Sequence, residues 1–215
     1  MYLKLCVFDL DNTLLKVNCS FKYYLYLQKK KIFSNISILR AFRYFIKFSI
    51  FSLSPSELHR EVFERFLKGR KESEIFEKVD EFLDLFLKDF LNEKVVKFLK
   101  KAKKENNYIL MLSNSPQNLT LSIAKRLGIE NAFASVYTKD ENGRFSSISQ
   151  IMDGKTKARV ALETARKEKI SKNEIEVFTD SIWDRPLLEI ANKCFVVNPD
   201  KKLFALAKAK GWNFV

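Results

Sequence analysis

The order of the apolar runs limits the fold more than any other property of the chain. Short runs rich in β-branched and aromatic residues, each ended by polar residues, recur at Leu5 to Phe8, YILMLS (108–113), AFASVY (132–137), IEVFT (175–179) and CFVV (194–197). Their length and composition read as buried strands. From residue 108 onward they alternate with helical patterns. One runs from Ser115-Pro116 to Leu127 and is stopped by Gly128, one covers about 156 to 169, a short one begins at Pro186, and a last one ends the chain. Strand and helix in alternation dictate a parallel sheet with right-handed crossovers, an α/β fold of the Rossmann-like kind. Asn142-Gly143, after the third run, predicts a hairpin.

Between the first strand and the second the text changes character. Residues 20 to about 105 hold one Pro, one Gly and no convincing strand. Ser54-Pro55-Ser56-Glu57 sets a capping Ser, a first-turn Pro and a capping-box Glu in order, and Gly69 stops that helix. Asn92-Glu93 opens another helix, running through Val95, Val96, Phe98 and Leu99 to Asn106-Asn107. The expected organisation is therefore a core of residues 1–15 and 93–215, with residues 16–92 inserted as an all-helical cap over the strand ends. A chain of 215 residues with 47% hydrophobic content can bury a core of that size.

The polar residues that end the strands carry the chemistry. Asp9 and Asp11 follow the first run in VFDLDNT, where an open α/β sheet keeps its ligand crevice. Two carboxylates this close repel unless a cation lies between them or one is protonated. Ser113 ends the second strand, a lysine stands in Gly154-Lys155-Thr156-Lys157, and Asp180 and Asp184 follow the strand at 175–179.

In that order these four groups resemble the motifs of the haloacid dehalogenase superfamily of phosphohydrolases, which have an Asp-x-Asp-x-Thr loop, a Ser or Thr, a Lys and a closing acidic motif. The tail DSIWDRPLLEIANKCFVVNPDKKLFALAKAKGW is similar to the branch that includes phosphoserine phosphatase, which has a helical cap after its first motif. The resemblance implies a Mg²⁺-dependent phosphatase acting on a small phosphorylated substrate. Asp9 is then the nucleophile that forms an acyl-phosphate, and Asp11 is the general acid and base, which calls for a raised pKa. Mg²⁺ is held by Asp9, Asp180 and the main-chain carbonyl of Asp11. The Ser113 hydroxyl and the Asn114 amide bind phosphoryl oxygens, aided by the helix starting at Ser115, and Thr13 braces the loop. Either Lys155 or Lys157 could neutralise phosphoryl charge, and the spacing to Asp180 resembles the family pattern better for Lys157. Asp184 orients metal waters or the lysine, unless it only caps the helix near Pro186.

Departures from the family bear on substrate. Thr179 stands where Gly is commoner, and Trp183 where phosphoserine phosphatases tend to have Asn. Those enzymes also share a Glu that binds the substrate amine, and the matching place here is near Asn18, which argues against phosphoserine as the first choice. Dehalogenation is disfavoured by the presence of Asp11 and Asp180, whereas phosphotransfer to an alcohol on the same site stays open.

Composition adds partners. The net charge of +13 favours anionic ligands or surfaces, although a lysine-rich solvated surface is the commoner explanation. The segment ISILRAFRYFIKFSIFSL (36–53) carries Arg40, Arg43 and Lys47 on one helical face and aromatics on the rest, just after Lys29, Lys30 and Lys31. It reads either as a buried cap helix or as an interfacial helix touching an anionic membrane, which would suit an amphiphilic phosphate. No motif for specific nucleic-acid recognition occurs, so a basic binding protein on this fold is the weaker alternative. Cys6, Cys19 and Cys194 read as reduced thiols of a cytoplasmic protein, with neither a cleaved leader nor a spanning helix expected. His59 reads as a helix residue without a partner, and Trp183 and Trp212 read as packing residues.

Overall fold

The computed structural model describes residues 2–33 and 54–215. The basic aromatic segment at 36–53 lies outside them. Strand β1 (Leu5–Asp9) is followed by helices α1 (Cys19–Lys29), α2 (Pro55–Val62), α3 (Glu72–Phe76), α4 (Val79–Phe90) and α5 (Glu93–Lys104). Then come β2 (Tyr108–Pro116), α6 (Gln117–Arg126), β3 (Asn131–Lys139), β4 (Phe145–Gln150), α7 (Gly154–Lys167), β5 (Ile175–Thr179), α8 (Arg185–Glu189), β6 (Lys193–Val196), α9 (Lys201–Lys210) and β7 (Asn213–Phe214). The sheet order is β4-β3-β2-β1-β5-β6-β7, with every neighbouring pair parallel except β3 and β4. This is the α/β architecture that the alternation of runs requires.

β1 lies at the centre and is buried on both faces, which is why its sequence is apolar from Leu5 to Phe8. Its residues alternate between two cores. Cys6 and Phe8 join one with α1, α4, α5 and α6, while Leu5 and Val7 join the other with α7, α8 and α9. The helices inserted between β1 and β2 share the first of these cores, where Tyr23, Phe63 and Phe82 pack with Phe8 and Met111 in one apolar cluster.

An aromatic ladder crosses the sheet directly below the strand ends. Phe8, Phe178 and Phe195 are register partners on β1, β5 and β6. Their rings stack with centroids 4.5 and 4.4 Å apart, and Phe98 of α5 tilts against the second and third. Stacks of this kind add to the burial of the rings themselves.

Local signals behave as their chemistry demands. Ser54 and Glu57 form the reciprocal capping box, and Gly69 adopts φ +77° past the following turn. β3 and β4 form the hairpin, with Gly143 at φ +71°. The helix expected from Ser115 begins instead at Gln117, because β2 continues through Pro116 and pairs it with Ser135. A proline disfavours helical backbone in the residue before it, so Ser115 stays extended. All three cysteines are free and buried, and no helix among the described residues is long and apolar enough to cross a membrane.

Two residues depart from their expected roles. Trp183 is 46% exposed rather than packed, whereas Trp212 lies partly buried against the second core. His59 does have a partner: its Nε2 lies 2.7 Å from the Tyr137 hydroxyl on β3. Burial, with a smaller contribution from Arg60, lowers its pKa to about 4. A folded-state pKa below the unfolded value favours the neutral ring, so its share of stability is present above about pH 6.5 and is lost as pH falls towards 4. Urea titrations across that window should show the native protein losing stability relative to His59→Gln. Parallel pH curves for the two proteins would exclude the linkage.

Candidate active site

Asp9 is the last residue of β1, and the chain leaves the sheet immediately after it. The wide turn Leu10–Leu14 is closed by Leu15 N–H donating to the Leu10 carbonyl at 2.9 Å. Asn12 takes φ 54°, a left-handed conformation that Asn tolerates better than most residues. This turn sends Asp11 away from the sheet axis toward the N-terminus of α1. Both of its oxygens are occupied there: Oδ1 accepts from the Cys19 main-chain N–H and Oδ2 from the Ser115 hydroxyl, each at 2.6 Å.

Lys157 supplies the cation beneath Asp9. Asp153 caps α7 by accepting from Thr156 N–H, which starts the helix at Gly154, two residues earlier than expected from sequence. Lys157 then lies one turn in, 4% exposed, while Lys155 points to solvent. Its Nζ donates to Asp9 Oδ1 at 2.6 Å and to Asp184 Oδ2 at 2.8 Å. Gly154 permits this approach, since a Cβ there would collide with the Trp183 carbonyl oxygen. Asp184 makes no capping hydrogen bond to α8, so its carboxylate serves Lys157 and not the helix.

Asp180 follows β5, and its Oδ1 has a long 3.4 Å contact from the buried Thr13 hydroxyl. Thr179, the residue where Gly is commoner, donates to Asp184 Oδ2 at 2.7 Å and accepts from Ser181 N–H at 3.2 Å. Asp9 and Asp184 thus share one lysine, whose charge also reaches Asp180. Burial first, then the neighbouring carboxylates, holds the Asp9 and Asp180 carboxyls well above the ordinary range, with Lys157 pulling the other way. Burial alone would lower the Lys157 ammonium, but Asp184 and Asp9 more than offset it and hold the lysine protonated.

Ser113, at the end of β2, is fully buried, and its hydroxyl accepts from Ser115 N–H at 3.1 Å. Asn114 is held by Ser135, whose hydroxyl donates to the Asn114 carbonyl at 2.9 Å. The structure therefore gathers Asp9, Lys157, Asp184, Asp180 and Thr13 at the ends of β1 and β5, with Asp11 turned toward β2 and α1. The residues that sequence reasoning missed are Ser115, Cys19 and Ser20 around Asp11, and the hydroxyl of Thr179. Only Ser115, two residues beyond Ser113, carried any signal; the others meet their partners through the tertiary fold.

The donor chemistry can be tested against a metal. Three carboxylates, those of Asp9, Asp180 and Asp184, surround one buried lysine, an excess of negative charge that an oxygen-preferring divalent cation would offset. Among the described residues no three His, Cys, Asp or Glu side chains converge as a self-sufficient metal site. A set of two carboxylates completed by a main-chain carbonyl and water does not require one.

Known proteins resemble the chain over nearly its whole length. A phosphoserine phosphatase of Mycobacterium tuberculosis is 24% identical over 211 residues, covering 96% of this chain and 68% of that protein. Among solved structures, a protein of unknown function from Bordetella pertussis superposes with a TM-score of 0.85 at 18% identity, covering 100% of this chain and 99% of the other. A substrate-bound phosphoserine phosphatase superposes with a TM-score of 0.72 at 14% identity, covering 100% and 93%. The sequence profile of haloacid dehalogenase-like hydrolases matches residues 6–189, and the chain belongs to that family.

Proposed function

We propose that this hydrolase releases inorganic phosphate from a small phosphate monoester through an aspartyl-phosphate on Asp9. The observation that carries the reading is the buried Asp9–Lys157–Asp184 ion cluster at the end of the central strand, one strand from Ser113. A carboxylate held at a strand end by a buried ammonium is poised as a nucleophile. Lys157 favours its ionised form and stands where phosphoryl charge arrives.

In this mechanism an Asp9 oxygen attacks phosphorus as the phosphorus–oxygen bond to the alcohol breaks. Asp11 gives its proton to the departing oxygen, then takes one from the water that hydrolyses the acyl-phosphate. Because Ser113 Oγ accepts from Ser115 N–H, its own hydrogen remains free to donate to a phosphoryl oxygen, alongside the Asn114 N–H. Asp9, Asp180 and the Asp11 carbonyl are the groups that would hold Mg²⁺, which when bound neutralises charge on the phosphoryl group. Thr179 and Asp184 keep Lys157 in place. The core is assigned to residues 1–15 and 93–215 and the cap to 16–92, with the site beneath the cap.

Among small phosphate monoesters a glycerol phosphate suits this site better than a phosphorylated amino acid or amino alcohol. Asn18, where the related enzymes' amine-binding Glu would fall, is the exposed N-cap of α1 and accepts from Phe21 N–H, so no anion waits there for an ammonium group. An amphiphilic substrate and membrane contact rest on residues 36–53, outside the described structure, and the buried free thiols suit a cytoplasmic setting.

The test is phosphate release from phosphoserine, phosphoethanolamine, glycerol phosphate and p-nitrophenyl phosphate, with Mg²⁺ and with chelator. Hydrolysis of at least one ester, lost on chelation and restored by Mg²⁺, is the expected result. Undiminished release in chelator would remove the metal from the mechanism, and no release from any ester would overturn the function.

A further inference from the structure

One buried cluster is left unused by this mechanism. Ser115 Oγ donates to Asp11 Oδ2 at 2.6 Å, lies 2.6 Å from Ser20 Oγ and accepts from the Cys19 thiol at 3.6 Å. Cys19 N–H donates to Asp11 Oδ1. Ser115 and Cys19 are buried, at 5% and 0% exposure. The single hydroxyl hydrogen of Ser115 goes to Asp11 Oδ2. Its two lone pairs then take the Ser20 hydroxyl and the Cys19 thiol, which leaves the Ser115 oxygen fully satisfied.

Local duties do not explain this hydroxyl. The N-cap of α6 is Pro116 and no side chain caps that helix, so Ser115 is not spent on the turn it belongs to. It reaches instead across 104 residues of sequence to the turn after β1. Cys19, at the first position of α1, presents one of the N–H groups that a helix start leaves without an internal partner. Asp11 takes it up, while Asn18 takes the Phe21 N–H.

We propose that Ser115 is a positioning residue for the proton donor. Its hydroxyl and the Cys19 N–H together fix the Asp11 side chain, and Ser20 in turn orients the Ser115 hydroxyl. The inference rests on the reading of Asp11 as general acid and extends it: two of the three groups in this cradle belong to the inserted helix α1. Docking of α1 against the end of β2 and the aim of the acid are one and the same event.

Leaving-group dependence separates positioning from a general loss of structure. A nitrophenolate departs as a stable anion and needs little protonation, whereas an alkoxide departs only with a proton. Rates are compared for glycerol phosphate and p-nitrophenyl phosphate in the full chain with Mg²⁺, using native protein, Asp11→Asn, Ser115→Ala and Ser115→Thr. Asp11→Asn should lose about 10²- to 10⁴-fold on the alkyl ester and far less on the aryl ester. Ser115→Ala should show the same split at a smaller scale, about tenfold in kcat on glycerol phosphate with KM little changed, as expected for one lost hydrogen bond. Ser115→Thr, which keeps the hydroxyl, should recover most of the loss.

The failures are distinguishable. If Asp11→Asn slows both esters equally, Asp11 is not the acid and the proposed mechanism fails with the cradle. If Asp11→Asn shows the split while Ser115→Ala slows both esters alike, or neither, the mechanism stands and the positioning role is wrong. A native protein that hydrolyses none of the four esters of the panel overturns both.

Discussion

Asp9→Asn is expected to stop phosphate release, by more than about 10³-fold, and to leave the protein folded. An amide oxygen does not form the acyl-phosphate, so no substrate should rescue the rate. The fold should survive because the native carboxylate costs stability where it stands. Asp9 is 6% exposed, and burial with the charges of Asp184 and Asp11 opposes its ionisation. Asparagine removes that burden while its carbonyl oxygen can still accept from Lys157. In metal-free buffer the melting temperature should be unchanged or about 2–4 °C higher, the shift that about 1 kcal/mol produces in a chain of this size. Activity close to native would remove Asp9 from the nucleophile's role, and a collapsed melting temperature would show its charge to be structural.

Lys157→Met is expected to be damaging in both respects. The substitution keeps the length of the side chain but leaves the Asp9 and Asp184 oxygens, now 2.6 and 2.8 Å from Nζ, buried without their cation. Stranding buried carboxylates without their cation costs about 3–5 kcal/mol. Activity should vanish with the phosphoryl counter-charge. Lys157→Arg should restore part of the stability but little of the rate, because a planar guanidinium does not fit a site shaped for one ammonium. Chemical denaturation of the three proteins, with phosphate release measured on each, checks both halves. Unchanged stability in Lys157→Met would mean that the carboxylates find compensation elsewhere, by protonation or by cation.

How much of this was legible in the residues follows from the range of the interactions. Strands β1, β2 and β5 were readable because burial on both faces forces continuous apolar runs, and the carboxylates were readable because they interrupt such runs at strand ends. The choice between Lys155 and Lys157 needed three dimensions: only the start of α7 at Gly154 decides which lysine turns inward and which faces solvent. Pro116 misled because a proline after a serine resembles a helix start, whereas β2 keeps both extended and gives the Ser115 hydroxyl to Asp11. The Tyr137 partner of His59 and the exposure of Trp183 left no trace in sequence, since both depend on how separate segments meet. The two-residue strand β7 is too short for any pattern to announce it.

The stack of Phe8, Phe178 and Phe195 ends one residue short of Asp9, Thr179 and Val196. A parallel sheet slipping by a single residue turns every side chain to the wrong face, and a slip of two breaks the ring contacts on both sides of Phe178. The carboxylates themselves cannot police such errors, because they repel one another. Accuracy at the reacting end of this molecule is thus delegated to hydrocarbon: three aromatic rings act as a gauge block, and the charged groups inherit their spacing from it.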